Sequence, residues 1–179
     1  LYVNVNPNSS GGKWYDNIHS IKPHEIYSIG PQGLRILNPE KYERIIVAGM
    51  GGSNLAAGLL KIRRPGLDII SHRNYGLPPL PPKALKNTLI IASSYSGNTE
   101  ETLDAFKTAA NKKYPIAAIT ASGKLLDLAK KSTIPYIQLP NARIQPRSAI
   151  GLFTKSLLKL IGDQEASREA SELAKILKS

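Results

Sequence analysis

The chain has 179 residues, enough for one well-buried domain and too few for two of ordinary size. It contains no cysteine, which excludes disulfides and a thiol nucleophile. No run approaches the roughly 20 apolar residues of a membrane span, which argues against a membrane partner. Together these features predict a cytoplasmic protein. The formal net charge of +11 favours anionic ligands, whereas the scattered basic residues, with only two Phe and one Trp to stack on bases, argue against nucleic acid.

The amino-terminal part of the chain carries no chemical motif. Residues 1–13 are polar and rich in Asn, Ser and Gly, which predicts a flexible tail. In residues 14–37, apolar positions are interrupted by Pro23 and Pro31. We expect short helices here, on the outside of a domain that spans residues 14–162.

A glycine-rich turn follows the first clear strand. The apolar run at residues 43–49 leads into GMGGS at 49–53, and residues 54–60 have helical character. Glycine lets the backbone approach a ligand closely, because it has no Cβ and adopts backbone angles closed to other residues. The spacing partly matches a dinucleotide fingerprint, but Asn54 stands where the third glycine belongs. We therefore favour the backbone wall of a sugar site over an NAD site.

A second strand is predicted at residues 67–71, before a proline-rich segment. Residues 72–82 contain four prolines, which predicts a rigid surface loop. A polyproline recognition motif is the alternative.

A cluster of hydroxyl side chains follows the next predicted strand. Residues 89–92 read as a buried strand, too short and too β-branched for a helix, and residues 101–111 form the next predicted helix. Between them, side-chain O–H and helix N–H groups can converge on one anion. The hydroxyls belong to Ser94, Ser96 and Thr99. We interpret this stretch as a phosphate cradle; an ordinary helix N-cap formed by Ser96 or Asn98 is the alternative.

The rest of the domain continues the alternation of strand and helix. Strands are predicted at residues 115–120 and 136–139, with a helix at 124–131 between them. Five strands alternating with helices specify an α/β fold, a doubly wound, five-stranded parallel sheet with helices on both faces. Because ligands bind at the carboxyl ends of such strands, we expect the glycine turn and the phosphate cradle to meet in one pocket.

Arg147 stands at the start of an apolar helix predicted over residues 148–161. A cation gains nothing from the helix dipole there, so another partner is expected. A phosphate or enediolate oxygen would suit the paired donors of a guanidinium, and a surface salt bridge is the alternative. The helix is apolar enough to need cover, which predicts self-association as a homodimer.

Three motifs occur in register: GMGGS at 49–53, SYSGNTEET at 94–102 and QPRSA at 145–149. Together they resemble the amino-terminal SIS (sugar isomerase) domain of the bifunctional phosphoglucose/phosphomannose isomerases, over residues 14–162. The resemblance implies a flavodoxin-like three-layer sandwich that binds a phosphosugar. The resemblance implies that the sugar is lined by Gly51, Gly52 and Ser53. It implies that the phosphate is held by Ser94, Ser96 and Thr99, and that the charge on a cis-enediol intermediate is stabilised by Arg147.

The reaction implied by the resemblance is the interconversion of an aldose 6-phosphate and a ketose 6-phosphate in glycolysis and gluconeogenesis. The implied partners are fructose 6-phosphate, glucose 6-phosphate or mannose 6-phosphate, and no metal or organic cofactor is implied. Moving a proton between C1 and C2 needs a positioned base and a cation near the growing oxyanion. Arg147 would be that cation.

The base has no candidate in this sequence. In the family, the glutamate base, a ring-opening histidine and a lysine come from a second SIS domain that this sequence does not contain, so residues 163–179 would form a peripheral helix or a linker towards it. Glu100 and Glu101 would repel a phosphate unless turned away. Three histidines precede the cradle and are expected on the surface: His19, His24 and His72.

Three hypotheses follow from these patterns. The first is the phosphosugar-binding domain of an isomerase, inactive or weakly active without the rest of its site. The second is a stand-alone SIS module that senses a phosphosugar or regulates a partner. The third, a nucleic-acid-binding protein, depends on charge alone.

Overall fold

The computed structural model describes residues 26–27, 41–141 and 144–176. The predicted tail over residues 1–13 lies outside these ranges, as do most of the predicted short helices. The strands are β1 (Ile26–Tyr27), β2 (Arg44–Ala48), β3 (Asp68–His72), β4 (Thr88–Ser94), β5 (Ile116–Thr120) and β6 (Tyr136–Gln138). The helices are α1 (Gly52–Arg63), α2 (Pro82–Lys86), α3 (Glu100–Asn111), α4 (Gly123–Lys131), α5 (Ile150–Leu160) and α6 (Gln164–Ile176), with a 3-10 turn at Pro146–Ala149.

The described strands form one sheet in the order β1-β6-β5-β4-β2-β3. The strands from β2 to β6 are parallel, which confirms the predicted α/β fold with a five-stranded parallel sheet. β4 lies inside this sheet and all of its residues are buried, because helices cover both faces of a parallel sheet. No helix in the described ranges is long and apolar enough to cross a membrane.

The five parallel strands have the flavodoxin-like order, which places a topological switch point between β2 and β4. β3 lies on one side of β2, and β5 lies on the far side of β4. A crevice opens outside the carboxyl ends of strands at such a point. Ala48 of β2 and Ala92 of β4 are direct neighbours, so the turns that follow these two strands lie side by side, at the place where such a crevice forms.

Each face of the sheet has its own hydrophobic core. One core packs α1, α5 and α6 against the sheet, and the other packs α3 and α4. Successive residues of β4 point to opposite faces: Leu89 and Ile91 belong to the first core, whereas Ile90 and Ala92 belong to the second. The predicted three-layer arrangement follows from this alternation.

Helix α5 is covered within the chain by α1 and α6. Leu152, Phe153 and Leu157 are 0%, 0% and 1% exposed. The apolar face of α5 is therefore already buried within the chain. Our argument that this face needs a second copy to cover it was wrong. Lys155 of the same helix is also buried; burial lowers the pKa of its ammonium group, and Lys159 adds repulsion between like charges.

Two short elements differ from the prediction. Ile26–Tyr27 is a strand, not helix, and pairs antiparallel with β6, because so short a strand depends on its pairing partner more than on local propensity. Helix α2 follows the proline-rich segment and was not predicted. It begins at Pro82, where the missing N–H and the preset φ of proline favour the first turn of a helix.

Asp163 joins α6 to α1. Its carboxylate accepts a hydrogen bond from the Ala166 N–H at 3.0 Å and pairs with Arg64 at 3.0 Å, and its side chain is 6% exposed. We expect Asp163→Ala to lower the free energy of unfolding by about 1–3 kcal/mol, because it removes a helix cap and leaves donors unpaired. Urea denaturation measures this change.

The matched control is Glu172→Ala, which removes a carboxylate whose pair with Arg168 is well exposed. Such a pair contributes less than about 0.5 kcal/mol. Equal effects of the two substitutions would contradict the role assigned to Asp163.

Candidate functional site

The glycine-rich turn after β2 packs directly on the segment that carries Arg147. A Cβ added to Gly52 would lie 2.5 Å from both the Cα and the backbone N of Arg147. Only glycine allows α1 to begin this close to the Pro146–Ala149 turn. Arg147 itself is exposed, and none of the ion pairs among the described residues includes it. The alternative of a surface salt bridge therefore has no support in the described part of the chain.

Ser53 connects the glycine turn to the turn after β4. It is buried, its hydroxyl oxygen accepts a hydrogen bond from the Tyr95 N–H at 3.2 Å, and its carbonyl accepts one from the Ser93 hydroxyl at 2.7 Å. The Ser53 hydroxyl still has its own proton to donate. The two sequence motifs are thus joined by hydrogen bonds.

Asn54 fills the position at which a dinucleotide fingerprint has its third glycine. Its buried side-chain amide lies within hydrogen-bond distance of the carbonyls of Val47, Gly49 and His72, at 3.0, 2.8 and 3.1 Å. Its carbonyl oxygen accepts a hydrogen bond from Ser71. The side chain ties together the ends of β2 and β3, so its function here is structural.

The predicted phosphate cradle lies between β4 and α3. Ser94 is the last residue of β4 and is buried; its hydroxyl lies 2.9 Å from that of Thr99 and accepts the Gly97 N–H at 3.1 Å. Ser96 is exposed and accepts the Asn98 N–H at 3.3 Å. The structure therefore brings two of the three predicted hydroxyls into contact and places the third on the same turn.

Thr99, and not Ser96 or Asn98, is the N-cap residue of α3, and its side chain makes no capping hydrogen bond. The alternative of an ordinary N-cap is therefore wrong in detail. The hydroxyl of Thr99 faces Ser94, and among the described residues no side-chain hydrogen bond caps the first turn of the helix. N–H groups in that position attract anions.

The turn after β5 is a third wall that the sequence interpretation did not connect to the cradle. Gly97 has a φ of +68°, and an added Cβ would lie 2.8 Å from the Thr120 hydroxyl oxygen. The Leu125 N–H donates to the Gly97 carbonyl at 2.9 Å, and the Lys124 N–H donates to the Asn98 side-chain oxygen at 3.2 Å. The Ser-Gly pair at residues 122–123 was the available signal, but only the fold shows what it contacts.

The proline-rich segment packs against the start of α3. The Tyr75 hydroxyl donates to the Glu100 carboxylate at 3.2 Å, and the Gly76 N–H donates to Asp104 at 2.7 Å. The hydrogen bond to Glu100 raises the pKa of Tyr75, with smaller contributions from desolvation and nearby carboxylates. The proline-rich segment thus engages Glu100 by a hydrogen bond.

His72 is the histidine in the part of the chain that the structure describes. His72 is half-buried and its ring lies 3.1 Å from the Gly76 carbonyl, so it braces the loop and is not the plain surface residue we expected. His19 and His24 lie outside the described residues. Within the described ranges, no three His, Asp or Glu side chains come together as a metal site requires.

Gly52→Ala tests the contact between the glycine turn and Arg147. We expect it to lower the free energy of unfolding by about 1–3 kcal/mol, because the added methyl group forces the backbone at residue 147 to move. Urea denaturation measures the change. The control is Gly58→Ala in the same helix, where no atom lies within 4 Å of an added Cβ; there we expect stabilisation by about 0.5–1 kcal/mol. Equal stability of the two variants would contradict the contact.

No family model matches the chain. The chain is 36% identical over 152 residues to a bifunctional phosphoglucose/phosphomannose isomerase from Caldicellulosiruptor bescii, which covers 82% of this chain and 43% of that protein. It is 32% identical over 139 residues to a protein of the same description from Aquifex aeolicus, covering 73% and 41%. The chain therefore spans less than half the length of these relatives.

Solved structures share the fold. Tagatose-6-phosphate ketose/aldose isomerase from Escherichia coli superposes with a TM-score of 0.52 at 20% identity, over 92% of this chain and 48% of that one. The Vibrio vulnificus NanR protein complexed with ManNAc-6P has a TM-score of 0.52 at 17% identity, over 94% and 69%. At these identities the likeness concerns the fold alone.

Proposed function

We propose that the crevice between β2 and β4 binds a hexose 6-phosphate. The chain is related to the bifunctional phosphoglucose/phosphomannose isomerases and has the fold of a sugar isomerase (SIS) domain. Fructose 6-phosphate, glucose 6-phosphate and mannose 6-phosphate are the proposed ligands. Isomerisation of these sugars is the proposed reaction of the whole protein. The names of the relatives favour this function over a stand-alone sensor module.

The observation that carries the proposal is the arrangement of Ser94, Ser96 and Thr99 around the uncapped start of α3. Thr99 makes no capping hydrogen bond and its hydroxyl lies 2.9 Å from that of Ser94, while Ser96 is exposed on the same turn. A phosphate seated there would accept hydrogen bonds from these hydroxyls and from helix N–H groups. Glu100, the nearest acid in sequence, is hydrogen-bonded by Tyr75.

The sugar would lie along the glycine-rich turn, on the backbone of Gly51 and Gly52 and beside Ser53. The close contact between Gly52 and Arg147 supports a guanidinium at the reacting end of the sugar. There it would stabilise the negative charge that develops on the enediol oxygen while a proton moves between C1 and C2. In the same proposal, the glutamate base and the histidine that opens the ring belong to parts of the whole protein beyond this chain.

We also propose that the chain forms a homodimer, with an interface that does not involve α5. Three residues of α1 expose much of their apolar side chains, as does one residue of α6: Leu55, Leu59, Ile62 and Leu173. Leu59 and Leu173 flank a groove between the two helices. A second copy of this chain would bury this surface, which we name the α1 face. We also propose a cytoplasmic location, because charged phosphosugars do not diffuse across membranes.

Ser96→Ala tests the phosphate cradle. We expect its affinity for fructose 6-phosphate to fall about 10-fold to 100-fold, since it removes a hydrogen bond to a charged oxygen. Calorimetric titration of this chain measures the affinity. The control is Ser132→Ala, an exposed serine at the far end of α4, for which no change is expected. Equal affinities of the two variants, or no binding by the unsubstituted chain, would contradict the proposal.

Ile62→Glu tests the α1 face. Ile62 is 80% exposed, so the substitution leaves the core intact, while a buried carboxylate at an interface is unfavourable. We expect sedimentation equilibrium to show a dimer for the unsubstituted chain and at least a tenfold weaker dimer for Ile62→Glu. Ser132→Glu adds the same charge elsewhere and should leave the dimer unchanged. An unsubstituted chain that stays monomeric would rule out this interface.

A further inference from the structure

Tyr95 is a buried residue in the middle of the phosphate cradle. Its neighbour Ser96 is exposed, whereas Tyr95 is 7% exposed and belongs to the core formed with α1 and α5. The side chain therefore points beneath the cradle and not towards a ligand. Neither the motifs nor the proposed roles assign it a function.

Tyr95 contacts four segments that meet at the crevice. Its N–H donates to the Ser53 hydroxyl oxygen at 3.2 Å, and its carbonyl accepts the Ala121 N–H at 3.1 Å. Its own hydroxyl donates to the Pro140 carbonyl at 3.1 Å. Its ring packs edge-on against Phe153 of α5, with centroids 6.5 Å apart and an angle of 69°. One residue thus joins the start of α1 and the ends of β5 and β6 to α5.

Two of these contacts lie on either side of Arg147 along the chain. Pro140 precedes Arg147 and Phe153 follows it, so the Tyr95 side chain contacts the chain on both sides of Arg147. The backbone of Tyr95 meanwhile holds Ser53, whose neighbour Gly52 packs on the backbone of Arg147. Small shifts of a group supported in this way are sufficient to change its action on a ligand by a large factor.

We infer that Tyr95 is a positioning residue, which sets the place of Arg147 relative to the phosphate cradle through its hydrogen bond to Pro140 and its contact with Phe153. This inference rests on the proposed phosphosugar site. Tyr95 does not touch the ligand; it determines the distance between the phosphate and the guanidinium. Its removal should therefore weaken binding of a ligand with negative charge at the reacting end, and leave phosphate binding largely intact.

Tyr95→Phe is the test, because it keeps the ring and its contact with Phe153 but leaves the Pro140 carbonyl without this donor. We titrate the chain with fructose 6-phosphate and with 5-phosphoarabinonate, which carries a carboxylate where the enediolate charge develops. We expect about a tenfold loss of affinity for 5-phosphoarabinonate and less than a twofold loss for fructose 6-phosphate. Tyr114→Phe, at a buried tyrosine in the other core, is the control and should change neither.

A double variant separates positioning from a general loss of stability. If Tyr95 acts through Arg147, then Tyr95→Phe should weaken 5-phosphoarabinonate binding no further once Arg147→Ala is present. Additive losses, or equal losses for both ligands, would overturn the inference while leaving the proposed function in place. Absence of saturable binding by the unsubstituted chain would overturn the proposed function and this inference with it.

Discussion

The architecture of the crevice depends on the hydrogen bonds that join Ser53, at the start of α1, to the end of β4 and the turn after it. Ser93 donates to the Ser53 carbonyl, and the Tyr95 N–H donates to the Ser53 hydroxyl oxygen. The parallel pairing of β2 with β4 brings these residues within reach, although about forty positions separate them in the sequence. These hydrogen bonds fix the glycine turn and the hydroxyl-rich turn relative to each other.

The site is defined by backbone packing as much as by side-chain chemistry. Gly52 lies against the backbone of Arg147, and Gly97 lies against the turn after β5. Each glycine is required because another part of the chain occupies the space of a side chain. The walls of the crevice are therefore in close backbone contact, and this contact supports exposed groups such as Ser96.

The charges around the cradle include both groups that attract an anion and groups that repel it. A chain with a net charge of +11 attracts anions, but the acids Glu100 and Glu101 stand in the first turn of the helix that would receive the phosphate. The hydrogen bond from Tyr75 engages Glu100 from the proline-rich segment. That segment, which the sequence presents as a plain surface loop, thus contributes to the electrostatics of the site.

The sequence by itself determined the parallel α/β fold, the limits of most elements and the two turns of the crevice, because these depend on local hydrophobic patterns and on Gly, Ser and Thr at strand ends. It did not reveal β1, the cover of α5, the contact between the turns at Gly97 and residues 122–123, or the contacts of Tyr95. These were decided by the tertiary structure, since each joins segments far apart along the chain. A tyrosine between two serines looks like part of a motif; only folding shows that its hydroxyl reaches Pro140, on the segment that carries Arg147.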